Sequence, residues 1–287
     1  MVIFDGIDAD RVDAEMDYDP SQIVYLIAKQ RSGTHLFNGV IASAPDISPV
    51  GEVYHVKGAE DPINFFHFRH QWLQANPNKM IGDYHVHVEV FDAYHAFLVS
   101  KARNSRVLVD AKYNVLHNHN HAWQNPLEAP VIFNMLAERD IPVVHLIRRD
   151  LLDCYLSHEL ARADGEWVRR EISTNVAHVP TPSTMLTLDP ASTAKALHWR
   201  KREVEFMRAH CRTVPRVQEV YYSDLAGFTA GENGLDDLRS FLGIDQPLTT
   251  QHIRVRRIRP ASKADKVENW DALRQQLEAM GAPMVIA

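Results

Sequence analysis

The stretch "IVYLIAKQRSGTHLF", residues 23–37, changes character in its middle. Its first part, 23–28, is a continuous apolar run, which is typical of a buried strand. After the polar segment 29–33, the apolar residues Leu36, Val40 and Ile41 follow at helical spacing. We therefore expect a strand, a tight loop and the start of a helix.

A loop of this kind favours anion binding, because free backbone N–H groups and the positive end of the helix dipole point into it. Arg31 adds a fork of donors that suits phosphate or sulfate, and Gly33 lets the backbone approach a ligand closely. Ser32 and Thr34 add hydroxyl groups. The alternative is an ordinary helix cap, since Ser and Thr are common N-cap residues.

The composition excludes some classes of function. The chain has 287 residues and a net charge of -6, so neither nucleic acid nor an anionic membrane is an expected partner. Cys154 and Cys211 are the only cysteines, which argues against a disulfide scaffold and fits a reducing compartment. The acidic N-terminus does not resemble a signal peptide, and no apolar run approaches the ~18 residues of a membrane span. We expect a cytoplasmic protein with one domain, 1–287, and leave its oligomeric state open.

Strands and helices alternate along the chain. Apolar runs predict further strands at 48–54, 106–113, 141–148 and 216–222. Helical spacing predicts helices at 150–163, 190–211, 234–243 and about 264–280. This order predicts an α/β fold with a mostly parallel central sheet and helices on both faces.

Three segments fall outside this alternation. Residues 1–20 read as an N-terminal arm. Residues 55–104, dense in His and aromatic residues, and 164–190, rich in Thr and Pro, read as insertions over the ends of strands. Ligands bind at the carboxyl ends of the strands in open α/β sheets, so we expect both insertions to shape a substrate pocket. The alternative is that they are ordinary connections.

A second anion site is predicted at "HLIRRDLLDCYLSHE", residues 145–159. Arg149 ends a predicted strand, and Ser157 lies eight residues further on. The two side chains can reach one ligand only if the helix begins close to the arginine. Two such sites on one sheet edge suggest a ligand with an anionic group at each end. The alternative is that Arg149 forms a surface ion pair with Asp153.

Six motifs occur in order along the chain: "RSGTHLF" (31–37), "GEVY" (51–54), "RRDLLDCYLS" (148–157), "VYYSDL" (220–225), "FLGI" (241–244) and "VENWDAL" (267–273). This series resembles the sulfotransferases that use 3′-phosphoadenosine-5′-phosphosulfate (PAPS), and among them the bacterial carbohydrate and glycolipid types. The resemblance covers about residues 22–275. It implies a P-loop-like nucleotide-binding fold, and transfer of a sulfuryl group from PAPS to a hydroxyl of a carbohydrate, glycolipid or other small acceptor, without a metal.

The resemblance also implies roles for particular residues. Arg31 and the loop through Ser32 would hold the phosphosulfate, together with the backbone N–H groups of Gly33, Thr34 and His35. Arg149 and Ser157 would bind the 3′-phosphate, and Tyr222 would lie near the nucleotide. A basic loop would close over the 3′-phosphate with Arg257, Arg259 and Lys263.

Three positions depart from the pattern of the family. Arg31 stands where many members have Lys, and Arg cannot donate its proton to the leaving phosphate because its pKa lies above ~12. His35 stands where a second Thr or Ser is common, and Asp150 stands where Asn is frequent. Arg31 would therefore act through charge and hydrogen bonds.

The resemblance assigns the general base to Glu52, in "GEVYH". His55, His35 and His117 are rivals, since other branches of the family use histidine, and Glu52 has an alternative role as a cap or structural ion pair. Acceptor contacts are expected from His55, Lys112 and His117, and stacking on the acceptor from Trp72, Tyr84 and Trp123. The tract "HNHNH", 117–121, lacks acidic or cysteine partners at the spacing of a metal site.

Two other classes of function remain open. A phosphotransferase or nucleotide hydrolase would use the same strand, loop and helix plan, but the chain lacks the GxxxxGK[ST] pattern of those enzymes. A non-catalytic relative would keep the PAPS-binding loops and lack the base.

Overall fold

The computed structural model describes residues 18–58, 60–80, 82–102, 104–119, 129–164, 185–232, 234–253 and 262–287. Most of the predicted 1–20 arm and of the 164–190 insertion, together with Arg257, Arg259 and Trp123, lies outside these residues. In the described part of the chain, no helix has the length and apolar character needed to cross a membrane.

Five parallel strands form the central sheet. They are β1 (Ile23–Ala28), β2 (Ile47–Gly51), β3 (Arg106–Lys112), β4 (Val143–Ile147) and β5 (Val217–Tyr221), in the order β2-β3-β1-β4-β5. β1 lies at the centre, where Ala28 is paired with Lys112 on one side and Leu146 on the other. The carboxyl ends of all five strands therefore lie at the same edge of the sheet.

The described helices pack around this sheet. They are α1 (Thr34–Ile41), α2 (Phe65–Ala75), α3 (Tyr84–Lys101), α4 (Ile132–Glu138), α5 (Leu151–Asp164), α6 (Pro190–Cys211), α7 (Tyr222–Ala230), α8 (Asp236–Leu242) and α9 (Trp270–Ala279). Short 3₁₀ turns lie at Pro20–Gln22, Val56–Gly58, Tyr113–His119 and Ala264–Lys266.

Both faces of the sheet are buried, as the alternation of strands and helices predicts. Ile23, Tyr25 and Ile27 of β1 pack in the larger core, which includes residues of α2 to α6 and α9. Val24 and Leu26 pack on the other face, against α1, α7 and α8. All six residues of β1 are inaccessible to solvent. Each fully buried large apolar side chain contributes about 1.5–3 kcal/mol to folding, so this strand has little freedom to shift.

The segment 55–104 differs from the prediction of an insertion over the strand ends. Its two helices, α2 and α3, belong to the larger core, where Phe68, Trp72, Tyr94 and Phe97 are buried. Trp72 is 6% exposed and contributes to packing, so the prediction that it stacks on an acceptor is wrong. The apolar residues of α3 are spread around its circumference, and its buried residues include His95 beside the apolar ones.

Like α2 and α3, the helices α4 and α7 were not predicted from the sequence. The last predicted helix is shorter than expected, since α9 begins at Trp270 after the 3₁₀ turn Ala264–Lys266. The strand predicted at 216–222 ends at Tyr221, and Tyr222 already begins α7. Tyr222 therefore lies at a strand-to-helix junction on the carboxyl edge of the sheet.

Candidate functional site

The loop between β1 and α1 is a tight turn with two residues in the left-handed region. Arg31 and Gly33 have φ angles of 71° and 97°, and the Ser32 N–H donates to the Lys29 carbonyl at 3.2 Å. A positive φ costs little at glycine and is unusual at arginine, so the surrounding structure must hold Arg31 in place. Ser32 and Thr34 are buried at 3% and 4% exposure, directly at the N-terminus of α1.

Tyr222 packs against the glycine of this loop. A Cβ atom added to Gly33 would lie 2.4 Å from Cδ2 of Tyr222, closer than any side chain could tolerate. Glycine is therefore required at this position by the close approach of the ring as well as by its φ angle. The predicted nucleotide residue Tyr222 thus lies beside the predicted phosphosulfate loop.

Arg31 connects the loop to α5. Its Nε and Nη2 atoms donate to the hydroxyl of Ser157 at 3.2 and 3.0 Å. Partial burial and the neighbouring Arg148 guanidinium lower the pKa of Arg31, which remains a cation at neutral pH. Ser157 was predicted to act with Arg149, and the structure brings it to Arg31.

Arg149 lies at the end of β4, close to the start of α5 at Leu151. Arg149 and Ser157 can reach one ligand only if the helix begins close to the arginine, and α5 begins two residues after it. The Arg149 side chain is exposed, and its guanidinium carbon lies 3.6 Å from the centre of the Tyr221 ring. The surface pair of Arg149 with Asp153 is not formed, since Asp153 binds Arg148 and Lys266 instead.

Arg148 is a site residue that the sequence analysis missed. Its Nη1 atom donates to the carbonyl of Arg31 at 2.8 Å, and its Nη2 atom forms an ion pair with Asp153. Its guanidinium carbon lies 4.5 Å from the centre of the Tyr222 ring. Arg148 therefore contacts the loop, the tyrosine that covers it and α5, and it holds the Arg31 carbonyl in the left-handed turn.

Asp153 joins this network to the C-terminal part of the chain. Lys266 Nζ donates to Asp153 Oδ1 at 2.9 Å, and both side chains are buried. Burial alone would raise the pKa of Asp153, but Arg148 and Lys266 outweigh it and lower that pKa to about 2. The carboxylate is therefore ionised at neutral pH and bridges two cations.

The N-terminus of α5 is occupied by the chain itself. The N–H of Leu151 donates to the carbonyl of Met284 at 2.9 Å, and the N–H of Asp153 donates to the side chain of Asp150 at 2.8 Å. Lys263, predicted to cover the 3′-phosphate, lies 2.5 Å from the Asp150 carboxylate, next to Arg149. A phosphate at this junction would therefore be bound by side chains.

A second polar group lies at the ends of β2 and β3. Glu52 follows β2, and its Oε1 atom lies 3.0 Å from Nζ of Lys112, which also lies 2.5 Å from Asp110. Lys112 is 3% exposed, Asp110 is 1% exposed, and Asn38 of α1 donates to Asp110 at 3.3 Å. Burial raises the pKa of Asp110, while Lys112 opposes this shift. Lys112, predicted to contact the acceptor, is thus engaged with Glu52 and Asp110.

The predicted histidines lie in different settings. Partial burial and Lys112 lower the pKa of His35, so this ring is mostly neutral at pH 7. His55 lies just beyond Glu52, and its N–H donates to the Glu52 carbonyl at 3.2 Å. His117 is exposed in the turn after β3, whereas His119 is buried 4.5 Å from the Tyr54 ring, and burial lowers its pKa to about 3. Among the described residues, no three His, Cys, Asp or Glu side chains form a group that could hold a metal ion.

No protein-family model matches the chain, and no curated protein is similar enough in sequence to match it. Among solved structures, the chain is similar to a sulfotransferase from Alicyclobacillus acidocaldarius, with 14% identity, a TM-score of 0.43 and 91% of each chain covered. It is also similar to mouse sulfotransferase SULT7A1 complexed with PAP, with 15% identity, a TM-score of 0.42, and 94% of this chain and 91% of that chain covered.

Proposed function

We propose that the protein is a sulfotransferase that moves a sulfuryl group from PAPS to a hydroxyl of a carbohydrate, glycolipid or other small acceptor. One observation carries this proposal: the β1–α1 loop, the β4–α5 junction and the ion pair of Glu52 with Lys112 lie together at the carboxyl edge of the sheet. Open α/β sheets bind their ligands at this edge.

The donor groups at this edge fit a nucleotide with an anionic group at each end. Arg31, the buried hydroxyls of Ser32 and Thr34, and the left-handed turn at Gly33 suit one anion at the N-terminus of α1. The exposed guanidinium of Arg149 on the Tyr221 ring suits a second anion. PAPS has such an anion at both its 5′ and 3′ positions.

When bound, PAPS supplies a sulfuryl group whose bond to the phosphate oxygen breaks as the acceptor oxygen bonds to sulfur. In this step, Arg31 and the loop N–H groups stabilise the negative charge that develops on the departing oxygen. Because these donors are already oriented before the reaction, little reorganisation is needed. Arg31 keeps its proton, so it acts by charge and hydrogen bonding alone.

Glu52 accepts the proton of the acceptor hydroxyl in this proposal. A carboxylate in the right position contributes typically ~10² to 10⁴-fold to such a reaction. Lys112 holds the Glu52 carboxylate at 3.0 Å, and buried Asp110 in turn holds Lys112. The acceptor contact predicted for Lys112 is therefore replaced in this proposal by a role in orienting Glu52. His55 and His117 remain candidates for contacting the acceptor.

The proposal is tested by thermal unfolding with 3′-phosphoadenosine-5′-phosphate (PAP), the desulfated nucleotide. PAP at about a hundred times its dissociation constant should stabilise the protein by ~2.7 kcal/mol. ATP with Mg²⁺ should stabilise it much less, because ATP lacks a 3′-phosphate for Arg149. Equal stabilisation by ATP and PAP would favour a phosphotransferase and count against a sulfotransferase.

Turnover separates an enzyme from a non-catalytic PAPS-binding relative. The wild-type protein should release PAP from PAPS in the presence of a pool of hydroxylated acceptors. Tight PAP binding without any PAP release, with each acceptor class of the proposal in the pool, would identify a binding protein instead.

A further inference from the structure

A groove of about 850 Å³ lies between α5 and α6, beside the β1–α1 loop. Its walls include Tyr155 and Glu159 of α5 and one face of α6, and Lys29 of the loop lies at its base. Since Lys29 is two residues before Arg31, the groove adjoins the proposed phosphosulfate site. The mechanism proposed above makes no use of this groove.

The groove has an excess of positive charge. Four cations and two carboxylates line it: Lys29, Lys195, Arg200, Arg202, Glu159 and Glu203. Both carboxylates already have cationic partners, because Glu203 pairs with Lys29 and Glu159 pairs with Arg162. The molecule as a whole has a net charge of -6, so the charge of the groove is opposite in sign to that of the whole molecule.

Arg200 is the informative member of this group. Arg200 is 8% exposed, and its Nη1 atom donates to the thiol sulfur of Cys154 at 3.8 Å. Its guanidinium carbon also lies 5.3 Å from the centre of the Tyr155 ring. No carboxylate in the described part of the chain lies within ion-pair distance of Arg200. A buried cation without an anionic partner is costly, and a protein retains one mainly where a ligand supplies the anion.

Trp199 adds a second feature to the same groove. It is 62% exposed and lines the groove beside Arg200. An exposed indole offers a flat apolar face on which a sugar ring can stack. Trp72, one of the three aromatic residues expected to stack on the acceptor, is 6% exposed, whereas Trp199 is open to a ligand.

We propose that this groove binds an anionic group of the acceptor, a carboxylate, phosphate or sulfate on a hydroxylated ring compound, with Arg200 as its main partner and Trp199 against the ring. The inference rests on the proposed sulfotransferase function and narrows its substrate class to acidic acceptors. The acidic group is bound by Arg200 while a hydroxyl of the same molecule reaches the sulfuryl group.

Binding of matched sugars tests the charge preference. The protein is saturated with PAP, and methyl β-glucuronide is compared with methyl β-glucoside by saturation-transfer NMR and by titration. The two probes differ in one carboxylate. The glucuronide should bind at least tenfold more tightly, Arg200→Met should abolish the difference, and Arg200→Lys should keep part of it. Lys201→Met, on the same helix but outside the groove, should behave as wild type.

Several results would overturn the inference. One is equal binding of the two sugars, and another is a preference for the glucuronide that persists in Arg200→Met. Failure of the glucuronide to bind at about 10 mM, which corresponds to less than ~3 kcal/mol of binding energy, also counts against it.

The stability of the free protein provides a readout that needs no ligand. If Arg200 is retained for a ligand, Arg200→Met should melt at the same temperature as wild type or higher, because it removes an unpaired buried charge and keeps the packing. A clearly lower melting temperature would assign Arg200 a structural role and overturn the inference. Failure of wild-type protein to bind PAP, by contrast, would overturn the proposed function, and the same sugar titration, run without PAP, would then decide whether the groove binds an anion.

Discussion

At the scale of single residues, the Lys112 ammonium lies between two carboxylates. It is almost fully buried and lies 2.5 Å from Asp110 and 3.0 Å from Glu52. A buried charge is costly unless its partners are well placed, and removing one partner of a buried pair costs about 3–5 kcal/mol. Asp110 is the buried anchor of Lys112, while Glu52 is one-third exposed and faces the cleft. Glu52 can therefore be changed at a lower cost to the fold than Asp110.

The first prediction concerns Glu52→Gln. This change keeps the size of the side chain and its contact with Lys112, but it removes the basic carboxylate. Turnover should fall by at least about a hundredfold, as expected for loss of a positioned general base. PAP affinity, measured by titration calorimetry, should stay within about twofold of wild type, because Glu52 does not belong to the anion loop.

Two controls accompany this prediction. Glu89→Gln changes an exposed glutamate that pairs with Lys79 on the surface, and it should retain full turnover. His55→Asn and His117→Asn test the rival bases. Near-normal turnover in Glu52→Gln, with loss in either histidine variant, would transfer the role to that histidine.

The second prediction concerns Arg149→Ala and uses three nucleotides. PAP and 3′-AMP should bind more weakly by about 2–5 kcal/mol, because a 3′-phosphate loses its charged partner. Binding of 5′-AMP should not change, since it lacks that phosphate. The fold should survive, because the Arg149 side chain is exposed. If all three nucleotides bind to the variant as they do to wild type, Arg149 does not bind the 3′-phosphate and contributes through its contact with Tyr221 instead.

At the scale of elements, the β1–α1 loop depends on the β4–α5 junction. Arg148 donates to the Arg31 carbonyl and forms an ion pair with Asp153. Asp153 in turn pairs with Lys266, which follows the predicted basic loop in the sequence. The third prediction is that Arg148→Met weakens 5′-AMP and PAP binding by about 1.5–3 kcal/mol, the range of a lost hydrogen bond to a charged group. Its physical reason is that the left-handed turn at Arg31 relaxes.

Affinity for 3′-AMP provides the internal control for this prediction. It should be retained in Arg148→Met, which is the reverse of the pattern expected for Arg149→Ala. Arg239→Met removes a surface arginine that pairs with Asp236 and should bind every nucleotide normally. A uniform loss of affinity for all nucleotides in Arg148→Met would indicate general damage to the fold and contradict a specific effect on the loop.

Local pattern was sufficient to predict the strand, loop and helix around residues 23–41 and the parallel sheet, since both depend on neighbouring residues. It was not sufficient for Arg148, because adjacent residues at a strand end point in different directions and only the fold decides which one reaches the loop. The partner of Asp153, Lys266, is 113 residues away, and no local signal connects them. The role of α3 in the core was also hidden, because its histidines and aromatics lack one apolar face.

At the scale of the whole molecule, the parallel sheet determines where chemistry can occur. All five strands end at one edge, so the loop after β1, Glu52 after β2, Lys112 at the end of β3 and Arg149 after β4 converge there. The amino ends of the strands lie at the opposite edge. The helices on both faces bury the sheet, and three histidines, one of them in β4, are buried with it.

The fourth prediction follows from three such histidines. His95, His119 and His145 are buried at 0–2% exposure. Burial lowers the pKa of His119 and of His145 to about 3, and it lowers the pKa of His95 well below its usual value. The folded state therefore binds fewer protons than the unfolded state, in which these rings titrate near 6.5. Their contribution to stability is complete above about pH 6.5 and is lost as the pH falls toward about 3.

The free energy of unfolding should thus fall below about pH 6.5, by up to about 1.4 kcal/mol per pH unit for each histidine. Chemical denaturation in a series of buffers from about pH 7 to pH 5 measures this slope. In His145→Gln the amide keeps a partner for Tyr113, which lies 2.6 Å from the His145 ring, and the slope should become shallower because one buried titrating ring is removed. His198→Gln, which changes an exposed ring, should leave the slope as it is. A stability that stays level between these pH values would mean that the three rings take up protons in the folded state as readily as in the unfolded state, which would contradict the lowered pKa values inferred from their burial.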